Sequence, residues 1–137
     1  MLRIAAVFGT VLFFASLCFP VFDCRGFSSY MGYEVGEVGW LAILTLDPRW
    51  FANPLALLIV VSVVRGRPLR RASIYAVMIL LAALSCLIVP AMACGSGAGG
   101  PEPSTGIRLG AYLWIAAMTV LAFVGFASQG AGQENGA

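Results

Sequence analysis

The stretch Arg65-Gly66-Arg67-Pro68-Leu69-Arg70-Arg71 gathers half of the chain's 8 basic residues into one turn. Uncharged runs lie on both sides of it, Phe51 to Val64 before and Ala72 to Ala93 after. A dense basic turn between apolar runs marks a loop held on the cytoplasmic side of a membrane, because Lys and Arg next to a span resist translocation. Reading outward from this turn predicts the whole topology.

The composition agrees with that starting point. The chain has 137 residues, 61% of them hydrophobic and only 10% charged, with a mean hydropathy of +0.94. A soluble domain carries about 25% charged residues, so there is too little charge here to cover a water-facing surface. The bilayer is therefore the expected partner. All the basic residues are Arg, and Ala and Gly are abundant, a usage that fits a GC-rich bacterial genome. The absence of His excludes His-ligated haem, His general bases and most zinc sites. The net charge of +2 is no argument for nucleic acid, since the arginines cluster where topology would put them.

Four spans follow. Arg3 precedes the uncharged run Ile4 to Phe22, about the length needed to cross a hydrocarbon core of about 30 Å. The run is long for the apolar region of a signal peptide, and no small-x-small site precedes the first polar residues, so a retained helix over 4–22 is expected. The second span, 50–66, starts at Asn53-Pro54, with Asn as N-cap and Pro at the first helical position. Counted from Pro54 it is short, about 21 Å of helix, and must recruit Trp50 to Asn53. The third and fourth cover 72–93 and 109–127. Residues 129–137 read as a flexible tail, leaving one domain over 1–128. The expected fold class is an all-α membrane protein of four transmembrane helices in two hairpins. A short re-entrant or interfacial helix, Val38 to Leu46, precedes the second span and is stopped by Asp47-Pro48.

Orientation comes from the arginines. Arg3, Arg65, Arg67, Arg70 and Arg71 fall on one side; Arg25, Arg49 and Arg108 fall on the other. The larger set is cytoplasmic by the positive-inside rule, which predicts an inner-membrane protein with both termini inside. Trp50, Tyr112 and Trp114 then lie near the outer face and Tyr75 near the inner one.

Candidate site residues lie mostly in the outer segment. Glu34 and Glu37 are three apart, so one helix face could present both to a cation or for acid-base work; with no third ligand, a solvated loop is the plainer reading. Gly32 and Gly36 could allow close helix packing or merely punctuate that loop. Asp47 and Arg49 flank Pro48, either as interfacial charges at a helix stop or as an ion pair fixing the segment. Trp40 and Trp50 frame it. Asn53 could bond a neighbouring helix, but capping its own helix accounts for it. The basic turn could hold anionic headgroups at about 1 kcal/mol per Arg, though its topogenic role needs no ligand.

The cysteines form no CxxC pair, which disfavours thioredoxin-like chemistry. Cys24 and Cys94 each stand four residues past a proline, Pro20 and Pro90, at the outer ends of the first and third spans. A Cys24–Cys94 disulfide is expected there, on the oxidising side, and requires those two spans to be neighbours. Cys18 and Cys86 lie deeper and read as small hydrophobes. The matching ends of the two spans also form a weak internal echo.

Gly32-Tyr33-Glu34, Gly39-Trp40 and Trp50-Phe51-Ala52-Asn53-Pro54 together resemble a stretch of small, uncharacterised multi-pass bacterial inner-membrane proteins. The resemblance covers about a quarter of the chain and implies location alone, with no catalytic residue. No catalytic, cofactor-binding or metal-ligating residue is expected, and no cofactor. The expected role is non-enzymatic: an accessory, immunity-type or structural protein that packs against a membrane partner or a second copy of itself. The alternative is a subunit of a small-solute transporter or channel.

Overall fold

The computed structural model describes residues 1–23, 29–39, 49–67, 69–88, 93–97, 100–103 and 105–134. Among them the chain is mostly helical. Helix α1 (Leu2–Leu17) leads into strand β1 (Pro20–Asp23), then β2 (Tyr30–Met31) and helix α2 (Gly32–Gly39). Helices α3 (Ala52–Val64) and α4 (Ala72–Ile88) follow, then β3 (Ala93–Gly97), β4 (Gly100–Pro103), β5 (Gly106–Ile107) and α5 (Leu109–Glu134).

Local chemistry sets the boundaries. The last turn of α1 tightens through Cys18 N–H to Ala15 O, and Pro20 cannot continue it. The apolar residues Phe19 to Phe22, expected inside the first span, instead turn away. Pro20 stands first in β1, where no ladder donor is needed. β1 is the middle strand of an antiparallel sheet, order β2-β1-β5; β3 and β4 pair antiparallel as a separate hairpin. Val21 and Phe22 of β1 are buried with Ala111 of α5, against Val35 and Ile107. This small second core caps one end of the helices.

The long helices make an up-and-down bundle. α1 packs chiefly on α5, α4 packs on α5 and α3, and α3 also approaches α5. α1 and α3, expected as a hairpin, share a smaller interface than α1 and α5. α1 and α4 are barely in contact. They face each other across the bundle diagonal, so the adjacency that a bridge from the first to the third span requires is not formed by the helices.

Side-chain size is distributed in an unusual way. The bundle interior holds small residues: Ala6 and Gly9 of α1, Ala52 and Ala56 of α3, Ala76 and Ala83 of α4, Ala117 and Ala122 of α5. Ile59, Ile79, Met118 and Val124 are the largest side chains fully buried. The outer surface carries large apolar groups instead, among them Val7, Phe8, Val11 and Phe14 on α1, Leu57 and Leu58 on α3, Val77 and Leu81 on α4, and Phe123 on α5.

Among the described residues only α5 is long and apolar enough to cross a membrane, over Leu109–Gln129. α1, α3 and α4 are apolar but run 16, 13 and 17 residues. The expected span 4–22 is cut short by β1, and of the expected span 72–93 the helix is described to Ile88, with residues 89–92 outside the described residues and Ala93 in β3. In contrast α5 runs on to Glu134, past the start of the expected tail. A short helix does precede α3, but it begins at Gly32, inside the expected loop. Residues 40–48, with Trp40 and Asp47, lie outside the described residues.

Candidate functional site

Two ends of the bundle carry the polar chemistry. At the sheet-capped end, Gly32 N–H donates to Phe19 O at 3.0 Å and seats the start of α2 on the end of α1. A Cβ on Gly32 would come within 2.6 Å of Leu17 Cα and strike the Ser16 carbonyl, so this approach needs glycine. Gly36 makes no such demand: its Cβ would rest 4.0 Å from Leu17 Cδ2. Of the two glycines, only Gly32 serves close packing.

Glu34 is not a loop residue: it lies in the first turn of α2. It stands three positions after Met31, and its Oε2 accepts the Met31 N–H at 2.7 Å. This is the return bond of a capping box, in which the third helical residue satisfies the backbone donor ahead of the helix. Glu37 is exposed one turn later. Among the described residues no cluster of three metal-ligating side chains occurs.

Asn53 is corrected too. α3 begins at Ala52, so Asn53 lies within its first turn and does not cap it. Its Oδ1 accepts the indole N–H of Trp114 at 2.9 Å, joining α3 to α5. Trp50 and Arg49 form the half-buried turn that leads into α3, and Asn53 N–H donates to Trp50 O at 3.2 Å. The proposed partner of Arg49, Asp47, lies outside the described residues.

A further polar link at this end had no signal in the sequence. Arg108 Nε donates to Asp23 Oδ2 at 2.6 Å, and Thr105 N–H donates to the Asp23 carbonyl at 2.8 Å. These contacts close β1 onto β5 just before α5 begins. Cys18 is exposed at the end of α1, contrary to the expectation of a deep thiol, because the helix stops at Leu17. Cys86 is buried on α4, with its Sγ–H directed at the Ala82 carbonyl at 3.9 Å. Cys24 lies outside the described residues, and Cys94 sits on β3 opposite Glu102.

The opposite end is basic. Gly66 adopts φ +64°, the left-handed conformation at which α3 terminates. Arg67 N–H reaches back to Ser62 O at 3.0 Å and Gly66 N–H to Val63 O at 3.2 Å, a Schellman closure. Arg65, Arg67, Arg70 and Arg71 are all exposed around this turn. Arg3 joins them: its Nη2 lies 3.9 Å from where a Cβ of Gly66 would stand. At the same end Gln129 Oε1 accepts Ser73 N–H at 2.9 Å and also the Ser73 hydroxyl, tying the start of α4 to α5.

The chain matches no family, no curated protein and no solved structure. The site's meaning therefore rests on its own geometry.

Proposed function

We propose that this protein is a multi-pass inner-membrane protein that acts without catalysis, by presenting its helix surface to a membrane partner. In this reading α1, α3, α4 and α5 lie side by side across the bilayer, with both termini and the basic turn cytoplasmic. The carrying observation is the placement of side-chain size: alanine and glycine between helices, large aliphatic and aromatic groups outside. Water drives large apolar groups inward. Lipid does not, and in lipid close packing of small residues holds helices together. The short helices favour a thinned bilayer around the bundle, with the arginines snorkelling to the interface.

The buried hydroxyls speak against the transporter or channel reading. Ser16, Ser62 and Ser128 bond to Phe13, Ile59 and Gly125 carbonyls of their own helices. Thr10, Ser85 and Thr119 do likewise. A solute path needs polar groups turned toward a shared lumen, and these are turned to their own backbones.

The test is fractionation combined with fusion reporters. The protein should stay with membranes through alkaline carbonate extraction, and a reporter fused after Ala137 should be active only in its cytoplasmic form. Release into the soluble fraction would refute the membrane reading; an active periplasmic reporter would refute the orientation. Crosslinking from Phe14 or Phe123 should capture a membrane protein or a second copy.

A further inference from the structure

We infer that the arginine-bearing end of the bundle binds the phosphate headgroups of anionic lipids; this rests on the membrane reading above. Three separate parts of the chain supply the cations: Arg3 from the start of α1, Arg65 and Arg67 from the turn after α3, and Arg70 and Arg71 from the approach to α4. Arg3 Nη2 stands beside Gly66, so the sets adjoin in space as well as in charge. All five side chains are exposed. Among the described side chains, the acidic groups of Asp23, Glu34 and Glu37 lie at the other end of the bundle, and the ion pair of Asp23 is with Arg108 there; α5 brings Glu134 toward the arginine end. Five like-charged groups gathered at one end of the bundle favour an anionic ligand.

The site is built before any ligand arrives. The Schellman closure at Gly66 fixes the backbone that carries Arg65 and Arg67. Arg70 and Arg71 precede the first turn of α4, whose positive dipole end adds to theirs. The Ser73 amide in that turn is already engaged by Gln129, leaving the guanidinium groups as the donors. Guanidinium pairs bidentately with phosphate oxygens.

What selects a lipid over a free phosphate is the surface next to the charges. Ile4 beside Arg3 is 75% exposed, Val64 beside Arg65 is 57% exposed, and Ile74 in the first turn after Arg71 is 56% exposed. Each cationic element thus has a large bare aliphatic group close to it in the chain. A ligand that satisfies both halves has an anionic head and apolar tails.

The full-length protein, purified in mild detergent, is offered equal amounts of phosphatidylglycerol and phosphatidylcholine and the retained lipid is read by native mass spectrometry. Phosphatidylglycerol should be retained preferentially, and less so as salt is raised. At about 1 kcal/mol per Arg, the variant R65Q/R67Q/R70Q should lose roughly a hundredfold in phosphatidylglycerol affinity. Its helicity by circular dichroism checks that it folds, and the salt dependence of the unaltered protein tests the site without any substitution. Equal retention of the two lipids by protein that resists carbonate extraction would overturn the headgroup site and leave the membrane reading standing. Displacement of the lipid by an equal concentration of inorganic phosphate would overturn the role given to the apolar groups. Protein that is soluble without detergent would bring down the membrane reading itself.

Discussion

Trp114 on α5 donates its indole N–H to the side-chain carbonyl of Asn53 on α3 across 2.9 Å. The bond ties diagonal helices of the bundle together near the sheet-capped end, with both partners half-buried. Interhelical hydrogen bonds in membrane proteins are worth about 0.6 kcal/mol on average and up to about 1.7. A double-mutant cycle of Asn53→Leu with Trp114→Phe should return a coupling energy in that range. Unfolding in mixed micelles, followed by tryptophan fluorescence or circular dichroism, measures it. Strict additivity would mean that the pair is not coupled.

The pair Gly32 and Gly36 predicts opposite signs for one substitution. Gly32→Ala pushes a methyl group into the backbone of α1, at Ser16 and Leu17, where no side chain can swing away. Overpacking of this kind costs about 1–3 kcal/mol. Gly36→Ala meets only Leu17 Cδ2 at ordinary contact distance and replaces a flexible residue inside a helix. That change should stabilise by about 0.5–1 kcal/mol. Thermal unfolding of the two variants in one detergent decides the matter; equal effects would place α2 elsewhere.

The difference between these glycines marks where sequence reading stops. Hydropathy located the four long helices, because an apolar run between charges has few other uses. It overshot the first by reading Phe19 to Phe22 as lipid-facing, when Val21 and Phe22 are buried in a small sheet core. The two environments are equally apolar, so a scale of transfer energies cannot separate them. β1, β4 and β5 are two to four residues long; β1 continues an apolar run and was read as span, and β4 and β5 carry Gly and Pro and were read as loop. The grouping of Arg3 with the 65–71 turn, by contrast, was legible: charge is local to the sequence, and up-and-down helices bring Arg3 back to that turn without any detailed packing. Asn53 was assigned to its own helix because local capping is the frequent role of an Asn before Pro. Its true partner, Trp114, is visible only once α3 and α5 are in contact.

The Asp23–Arg108 pair, though short, should contribute little. The side chains are 32% and 58% exposed, and exposed ion pairs are typically worth about 0–1 kcal/mol. Arg108→Gln should therefore lower stability by less than about 1 kcal/mol, and by less still in high salt. Thr105→Pro is the informative contrast. It removes the backbone N–H that donates to the Asp23 carbonyl, and a lost strand-edge bond with a proline in its place should cost more than the ion pair. Amide hydrogen exchange at residues 21–23 reports which contact holds β1 against β5.

Gln129 gives the sharpest sign test, because two substitutions of similar size should move stability in opposite directions. Its Oε1 accepts both the backbone N–H and the hydroxyl of Ser73 at the first turn of α4. Gln129→Leu keeps the volume and leaves both Ser73 donors without that acceptor. An unsatisfied, partly buried donor costs about 1–3 kcal/mol, reduced here to the extent that interfacial water reaches it. Gln129→Glu keeps an acceptor in place and adds a negative charge at the positive end of a helix dipole, worth about 0.3–1 kcal/mol, close to Arg70 and Arg71. The acidic variant should therefore be at least as stable as the original protein, and the leucine variant less stable. The same acidic change introduces a carboxylate at the arginine end and should weaken retention of phosphatidylglycerol while stability is kept or raised. A Gln129→Glu protein that unfolds more easily than Gln129→Leu would show that the residue's amide donor, not its carbonyl, joins α5 to α4.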